Sequence, residues 1–338
     1  MDRKWTALAA LAASIWTFLY LAVPESELYC PGSAAYVWQA ASPGPAPSPS
    51  ALPTAVPLPA TAAPSETPEP SLTPAAPEES PAASDGPEIR AFTDAGVSMR
   101  NFSGLEVDTD ALAALPLPQR LGAEGPQILI IHTHGTEAYT PVPGEEYEAS
   151  DPYRTTDPEH SVIRVGDVLC RVLEEQGLRV VHDRELYDYP RYAGSYARCQ
   201  AAVESWLALY PGIGVVIDLH RDAVGTDKVI YKTLSRLSGD GAAQVMLVIG
   251  TGENGLPHPR WRDNLALALA MQRAAGEDGD ALPRPIRLVR ERYNQHLSSG
   301  AFILEVGTNG NTLSEAERAA EQFGRAVGPL FLSLAAER

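Results

Sequence analysis

The stretch Ile128-Leu-Ile-Ile-His132-Thr-His134-Gly-Thr-Glu137 joins a strand pattern to a metal-ligand pattern. Four apolar residues, bounded upstream by Gly125-Pro126, predict a short buried strand. The polar residues follow where that strand ends, and an open α/β sheet binds its ligands outside the carboxyl ends of its strands. His134 and Glu137 pair an imidazole with a carboxylate, which suits a zinc ion that takes a third ligand from elsewhere.

Apolar runs alternate with amphipathic segments over the rest of the chain. Predicted strands cover residues 178–181, 214–219, 244–249, 286–289 and 301–306, and predicted helices cover residues 165–173, 195–209, 262–275 and 315–334. This alternation predicts an α/β fold with a mainly parallel sheet and helices on both faces, over a catalytic domain at 125–338. Residues 88–124 are interpreted as a lead-in segment with strand-like pieces and a short helix at 108–115.

Three further polar residues lie at or inside apolar runs. Asp218 and His220 end the run that begins near Val215, and the two-residue period of a strand turns both to one side. His220 is therefore the candidate third zinc ligand, with Asp218 as a group that orients it. Glu305 lies inside the apolar run 301–306, where an ionised carboxylate is costly unless it is paired, hydrogen-bonded or near a metal.

Together these residues predict a zinc hydrolase that acts on an amide bond. His134, Glu137 and His220 would hold Zn²⁺ with one position open for water. Zinc lowers the pKa of that water, and Glu305 would take its proton.

The sequence leaves the roles of Arg221, Arg292 and His132 open. Arg221 and Arg292 are candidate catalytic donors to the tetrahedral oxyanion. His132 lies two residues from His134, so a two-residue period would turn both to one face. It is a candidate metal ligand, a donor behind the ligands, or an acid.

The amino-terminal part of the chain has a different composition. Trp5–Val23 contains no charged residue, and its 19 residues at ~1.5 Å each span roughly the hydrocarbon core of a bilayer. Arg3 and Lys4 place residues 1–4 in the cytoplasm by the positive-inside rule. We therefore expect a single-pass anchor in the cell membrane with an extracytoplasmic catalytic domain. A cleaved signal peptide is the alternative, but its apolar region is usually shorter.

Composition and charge narrow the class of protein further. Residues 24–87 are rich in Pro, Ala and Ser, which predicts a disordered extracytoplasmic tether. The formal net charge is −17, which argues against a nucleic-acid partner because phosphate neutralisation needs a basic surface. The three cysteines, Cys30, Cys170 and Cys199, have neither the number nor the spacing of a disulfide framework or a Cys-x-x-Cys zinc site.

Several motifs, in chain order, resemble those of the stage II sporulation protein P family. They are Ile130–Pro141, Tyr153–Asp157, His182–Asp183 with Asp188–Pro190, Val216–Ala223, Arg292–Gln295 and Glu305–Thr312. The resemblance extends over roughly residues 95–335. One departure is His296, where the family pattern leads us to expect an aspartate.

The resemblance implies a zinc-dependent peptidoglycan hydrolase with the fold of N-acetylmuramoyl-L-alanine amidases. It implies cleavage of the amide between the muramyl lactyl group and L-alanine, with endopeptidase activity on cross-links. It also implies action during engulfment of the forespore, with sporulation proteins D and M as partners.

Two other functions would use the same fold. A metallo-endopeptidase or carboxypeptidase on wall peptides needs the same metal ligands, but it would trim free peptides that carry no glycan. A non-catalytic wall-binding domain would bind glycan without cutting it. The presence of all four candidate metal and catalytic residues argues against that last function.

Overall fold

The computed structural model describes residues 87–92, 94, 98–235, 241–276 and 281–335. The expected anchor at 5–23, the expected tether (apart from Pro87) and Cys30 lie outside these residues. Within them, no helix combines the length and the apolarity needed to cross a bilayer.

The centre of the described fold is a seven-stranded sheet. The strands are β1 (Glu88–Phe92), β2 (Met99–Asn101), β3 (Ile128–Ile131), β4 (Val180–His182), β5 (Val215–Asp222), β6 (Val229–Thr233), β7 (Val245–Gly250), β8 (Ile286–Val289) and β9 (Ala301–Thr308). Their order in the sheet is β2-β8-β7-β9-β5-β3-β4, while β1 and β6 form a separate parallel pair. All neighbours in the sheet are parallel except β7 and β9. The predicted mainly parallel α/β sheet is therefore confirmed.

Helices cover both faces of this sheet, as predicted. They are α1 (Thr109–Ala113), α2 (Val162–Glu175), α3 (Ser195–Leu209), α4 (Trp261–Gly276) and α5 (Leu313–Ser333). Alternate residues of β3 join different clusters, because successive strand side chains point to opposite faces. Ile128 and Ile130 belong to the core cluster that also contains side chains of α2, α4 and α5, whereas Leu129 and Ile131 belong to the cluster that contains Cys199 and Val203 of α3.

Local sequence signals set the ends of α2. The Ser161 side chain accepts a hydrogen bond from the Ile163 amide at the start of the helix. Gly177 ends it with φ +93°, and the Leu178 amide donates to the Leu173 carbonyl at 3.2 Å. This is the glycine-dependent pattern that satisfies the last carbonyls of a helix. The helix predicted at 165–173 thus ends at a local glycine signal, and the chain then returns to β4 beside β3.

Two features of the sheet were not predicted. β6 pairs with β1 outside the main sheet; β1 is largely exposed and β6 is partly buried, and neither shows a clean apolar alternation. The interpreted lead-in segment also contributes β2, which forms one edge of the main sheet beside β8.

Candidate active site

The carboxyl ends of three neighbouring strands place the predicted site residues together. β3, β5 and β9 are adjacent and parallel, so they end at one edge of the sheet. His220 lies in register with Glu305 on the neighbouring strand. His134 and Glu137 lie in the turn that follows β3. The sequence residues are thus brought to the crevice that parallel sheets use for ligands.

His134, Glu137 and His220 form a buried group at this edge. The distance from His220 Nδ1 to Glu137 Oε2 is 3.4 Å. The rings of His134 and His220 are nearly perpendicular, with centroids 5.3 Å apart. His134 Nδ1 is buried without a hydrogen-bond partner. A buried polar atom of this kind is rare in folded proteins and needs an explanation.

Asp218 and His220 face the same side, as predicted from their spacing. Asp218 Oδ1 lies 2.8 Å from His220 Nε2, although the two groups are not aligned for a hydrogen bond. Asp218 is fixed by hydrogen bonds from the Thr133 amide and hydroxyl at 2.8 and 2.7 Å. Burial opposes protonation of His220, but Asp218 and Glu137 outweigh it and hold the pKa of His220 well above its usual range.

Two arginines keep Glu137 ionised. Burial alone would raise the pKa of Glu137, but the charges of Arg221, His220 and Arg154 lower it well below its usual range. The Arg221 amide donates to Glu137 Oε2 at 3.2 Å, and an Arg154 guanidinium nitrogen donates to Oε1 at 3.4 Å. Sequence reasoning missed Arg154. The signal for it was its place in the polar motif at 153–157.

The two arginines predicted as oxyanion donors contact main-chain carbonyls. Arg221 donates to the Ala138 carbonyl at 3.0 Å and to the Tyr153 carbonyl at 2.9 Å. Arg292 donates to the Pro257 carbonyl at 3.4 Å. Neither guanidinium is hydrogen-bonded to a candidate ligand histidine in the described part of the chain. Arg221 therefore shapes the turn around Glu137.

His132 does not share the face of His134, which corrects the expectation from their spacing. Its Nδ1 donates to the Leu219 carbonyl at 2.9 Å, and its Nε2 lies 2.8 Å from His182 Nε2. It therefore lies on the α2 side of the sheet, whereas His134 contacts tyrosines on the α3 side. The physical reason is that β3 ends at Ile131, so the strand period does not continue through the following turn.

His132 and His182 are packed tightly against Gly166 of α2. A Cβ at Gly166 would lie 2.7 Å from His182 Nε2 and 2.8 Å from His132 Nε2. Burial, then the neighbouring His182, lowers the pKa of His132 to about 3. His182 Nδ1 is 3.1 Å from Asp167 Oδ1. Both nitrogens of His132 thus contact other protein groups, Leu219 and His182.

We expect Gly166→Ala to destabilise the protein although alanine is the better helix former. The helix-propensity gain is about 0.5–1 kcal/mol, whereas forcing a methyl group between two buried rings costs about 1–3 kcal/mol or more. The measurement is the free energy of unfolding in urea. Arg171→Ala on the exposed face of the same helix is the control, and it should change this free energy by less than about 0.5 kcal/mol. An unchanged or higher stability of Gly166→Ala would show that the two rings are free to move apart.

Glu305 is a partly buried carboxylate on β9, in register with His220. Its Oε2 is buried without a hydrogen-bond partner. Burial, followed by the negative charge of Asp222, raises the pKa of Glu305 to about 8. A carboxylate with a perturbed pKa beside candidate metal ligands has the properties of a general base.

Tyrosines that sequence reasoning missed line the α3 side of the site. The Tyr192 hydroxyl lies 3.1 Å from His134 Nε2, and the two rings are stacked with centroids 4.5 Å apart. The edge of Tyr196 meets His134 at a centroid distance of 5.4 Å, and Tyr293 lies 5.5 Å beyond Tyr196. The available signal was the density of tyrosine between residues 187 and 196.

The donor set fits zinc in its chemistry. Among the side chains that the structure describes, no group of three or more His, Cys, Asp or Glu residues is arranged to hold a metal ion. Two imidazoles and one carboxylate are nevertheless a common ligand set of catalytic zinc, and His134 Nδ1 is a buried donor atom without a partner. The residues present therefore suit a zinc ion better than a magnesium or calcium ion, which prefer oxygen ligands.

A known family matches most of the chain. The family model of stage II sporulation protein P (SpoIIP) matches residues 69–328. Stage II sporulation protein P of Bacillus subtilis (strain 168) is 26% identical over 214 residues, which are 60% of this chain and 50% of that protein. The chain thus spans about half the length of the curated relative that it matches.

Solved structures of N-acetylmuramoyl-L-alanine amidases are also similar. AmiC2 of Nostoc punctiforme is 14% identical, with 62% of this chain and 98% of that chain covered and a TM-score of 0.35. Ami1 of Mycobacterium smegmatis is 10% identical, with 63% and 99% covered and a TM-score of 0.36. The catalytic domain of CwlV from Bacillus (Paenibacillus) polymyxa var. colistinus is 13% identical, with 62% and 99% covered and a TM-score of 0.33.

Proposed function

The chain belongs to the stage II sporulation protein P family, and we propose that it is a zinc-dependent peptidoglycan hydrolase. The bond cleaved is the amide between the muramyl lactyl group and L-alanine, with endopeptidase activity on cross-links. The observation that carries the proposal is the convergence of His134, Glu137, His220 and Glu305 at the carboxyl ends of β3, β5 and β9. Two imidazoles and a carboxylate beside a further carboxylate are the parts of a metal-assisted amide hydrolase.

His134, Glu137 and His220 are the residues that would hold zinc. When bound, zinc lowers the pKa of a water molecule and polarises the substrate carbonyl. Glu305 accepts a proton through its unpartnered oxygen and passes it to the leaving amine. Asp218, 2.8 Å from His220, keeps that ring oriented.

The surrounding arginines support this chemistry through Glu137. Arg154 and Arg221 hold it ionised, and a metal ligand must be deprotonated to bind. The role of oxyanion donor for Arg221 or Arg292 stays a prediction, since both guanidinium groups already donate to carbonyls.

We also propose where the protein acts in the cell. Residues 5–23 anchor the chain in the cell membrane, residues 24–87 tether it, and the catalytic domain acts outside the cytoplasm on peptidoglycan. Sporulation proteins D and M are the proposed partners during engulfment. The charge-free apolar run and the Pro-rich composition support the anchor and the tether.

Digestion of purified cell walls tests the proposed activity. The full chain, purified in detergent with one equivalent of zinc, should release stem peptides that carry a free L-alanine amine and leave glycan strands without peptides. A chelator should stop the release, and added zinc should restore it. Mass spectrometry of the soluble products and metal analysis of the protein are the measurements.

Two other results of the digestion would indicate a different function. Peptides cut while the lactyl amide stays intact would indicate a metallo-endopeptidase or carboxypeptidase. A protein that sediments with walls, binds no metal and releases nothing would be a non-catalytic wall-binding domain.

A further inference from the structure

Tyr196 lies against a candidate zinc ligand from the first turn of α3. Its ring and the ring of His134 are nearly perpendicular, with an interplanar angle of 87° and centroids 5.4 Å apart. The Tyr196 side chain is half-buried, and its next aromatic neighbour is Tyr293, with centroids 5.5 Å apart. The Tyr196 ring therefore forms part of the wall of the site.

The helix carries this side chain over the face of the sheet that holds the reacting groups. Val216 of β5 and Ala301 of β9 belong to the core cluster that also contains side chains of α3. Side chains of a strand alternate between faces, so His220 and Glu305, four residues further along the two strands, face the same side. Tyr196 and these two groups therefore share one side of the sheet.

The position of the Tyr196 hydroxyl agrees with this placement. Burial, followed by neighbouring negative charges that include those of Asp218 and Glu305, raises the pKa of Tyr196 well above its usual range. The hydroxyl therefore lies close enough to the carboxylates of the site to sense their charge. A phenol has an ordinary pKa of about 10, so this group is a neutral O–H donor at neutral pH.

This hydroxyl is uncommitted. The hydroxyl of the nearby Tyr192 contacts His134 at 3.1 Å. In contrast, the Tyr196 hydroxyl forms no hydrogen bond with any residue that the structure describes. It is therefore free to bind a substrate at the site.

The backbone that carries Tyr196 is fixed. The Asn294 side-chain amide donates to the Tyr196 carbonyl at 2.9 Å, which ties the first turn of α3 to the loop that follows β8. A donor that is held in place before the reaction costs no reorganisation when charge develops beside it.

The proposed hydrolysis requires a donor for the carbonyl oxygen of the amide. Negative charge develops on that oxygen in the tetrahedral intermediate, and a donor placed there stabilises the transition state more than the bound substrate. The guanidinium of Arg221 donates to the Ala138 and Tyr153 carbonyls, and that of Arg292 donates to the Pro257 carbonyl. Tyr196 is a donor near the site with no such commitment.

We propose that Tyr196 is a catalytic residue whose hydroxyl donates a hydrogen bond to the carbonyl oxygen of the scissile amide. This inference rests on the hydrolase of the proposed function. The phenol keeps its proton throughout, so the contact adds stabilisation and transfers no atom. The hydrogen bond strengthens as the carbonyl oxygen becomes negative and weakens again when the amine leaves.

The test is the kinetics of Tyr196→Phe in the full chain, purified in detergent and loaded with zinc. This substitution keeps the ring beside His134 and removes only the hydroxyl. With a soluble glycan fragment that carries stem peptides, we expect kcat to fall about 10²-fold and KM to change by less than about threefold. The zinc content and the unfolding temperature should equal those of the unmodified chain.

A transition-state analogue separates catalysis from a structural role. A phosphinate in place of the scissile amide presents charged oxygens in the tetrahedral geometry of the intermediate. Its inhibition constant should rise about 10²-fold in Tyr196→Phe, in parallel with the fall in kcat. A hydroxyl that only shaped the site would change the affinities for substrate and analogue alike.

Tyr187→Phe is the matched control. The Tyr187 hydroxyl donates to Asp183 at 2.8 Å, so its loss should leave kcat unchanged. An unchanged kcat of Tyr196→Phe, a rise in KM alone, a loss of zinc from this variant, or an equal fall in kcat in both variants would each overturn the inference. In those cases the unmodified chain still cleaves the amide, and the proposed function stands. An unmodified chain that cleaves nothing would overturn the proposed function and this inference together.

Discussion

Glu305→Gln is expected to retain zinc and lose amide hydrolysis. Glutamine has nearly the shape of glutamate but does not accept a proton, so the substitution removes general-base catalysis and leaves the ligand set intact. Such catalysis contributes about 10²–10⁴-fold to a rate, and we expect kcat to fall by about 10³-fold or more. The measurements are the rate of stem-peptide release and the zinc content of the same preparation. Loss of zinc from Glu305→Gln would instead make Glu305 a metal ligand.

The same substitution should stabilise the metal-free protein at neutral pH. Below pH 4.5, Glu305 is protonated in the folded and the unfolded chain, so it imposes no penalty. As the pH rises towards about 8, the unfolded chain loses this proton while the folded chain keeps it, so stability falls across that window. Glutamine does not titrate, so Glu305→Gln should raise the free energy of unfolding of the metal-free protein at pH 7 by on the order of 1–3 kcal/mol. Urea unfolding with a chelator present, at pH 5 and pH 7, measures the difference.

The strands near the site were predictable because they are buried on both faces. β5 and β9 are buried, mainly apolar strands. A polar residue inside such a strand is unusual, and this identified His220 and Glu305 as candidate site residues. The β1 and β6 pair was not predictable in this way, because β1 is largely exposed, β6 is only partly buried and neither strand is a continuous apolar run. Nor does a local pattern give strand direction. β7 runs antiparallel to β9, and no short window of sequence contains both strands.

The site residues that follow strands were predictable, and those in turns and loops were not. His134, Glu137 and His220 follow apolar runs, so position along a strand located them. The face of His132 was wrong because a turn, and not a strand, separates it from His134. Tyr192 belongs to a loop whose path is set by tertiary bonds such as Arg154 to Asp188, so spacing held no information about it.

His220→Ala should abolish zinc binding and also lower the free energy of unfolding by several kcal/mol. His134→Ala should abolish zinc binding with a smaller effect on the free energy of unfolding. Either substitution removes a proposed zinc ligand, and we expect hydrolysis to fall at least about 10³-fold. The two histidines differ in charge before metal binds. His220 lies protonated between two buried carboxylates, while burial lowers the pKa of His134 to about 3 and keeps it neutral.

This difference in charge predicts different stabilities of the metal-free variants. Without His220, Asp218 and Glu137 lose the cation between them, and breaking such a buried pair costs about 3–5 kcal/mol. His134→Ala loses the stacking and hydroxyl contacts with Tyr192 and some packing, but no buried charge. Urea unfolding with a chelator present should therefore separate the two variants, with His160→Ala, a histidine paired with Asp157 near the surface, as the control that retains zinc. Equal stability of the two metal-free variants would mean that His220 is neutral before zinc binds, because only its positive charge makes its removal the costlier change.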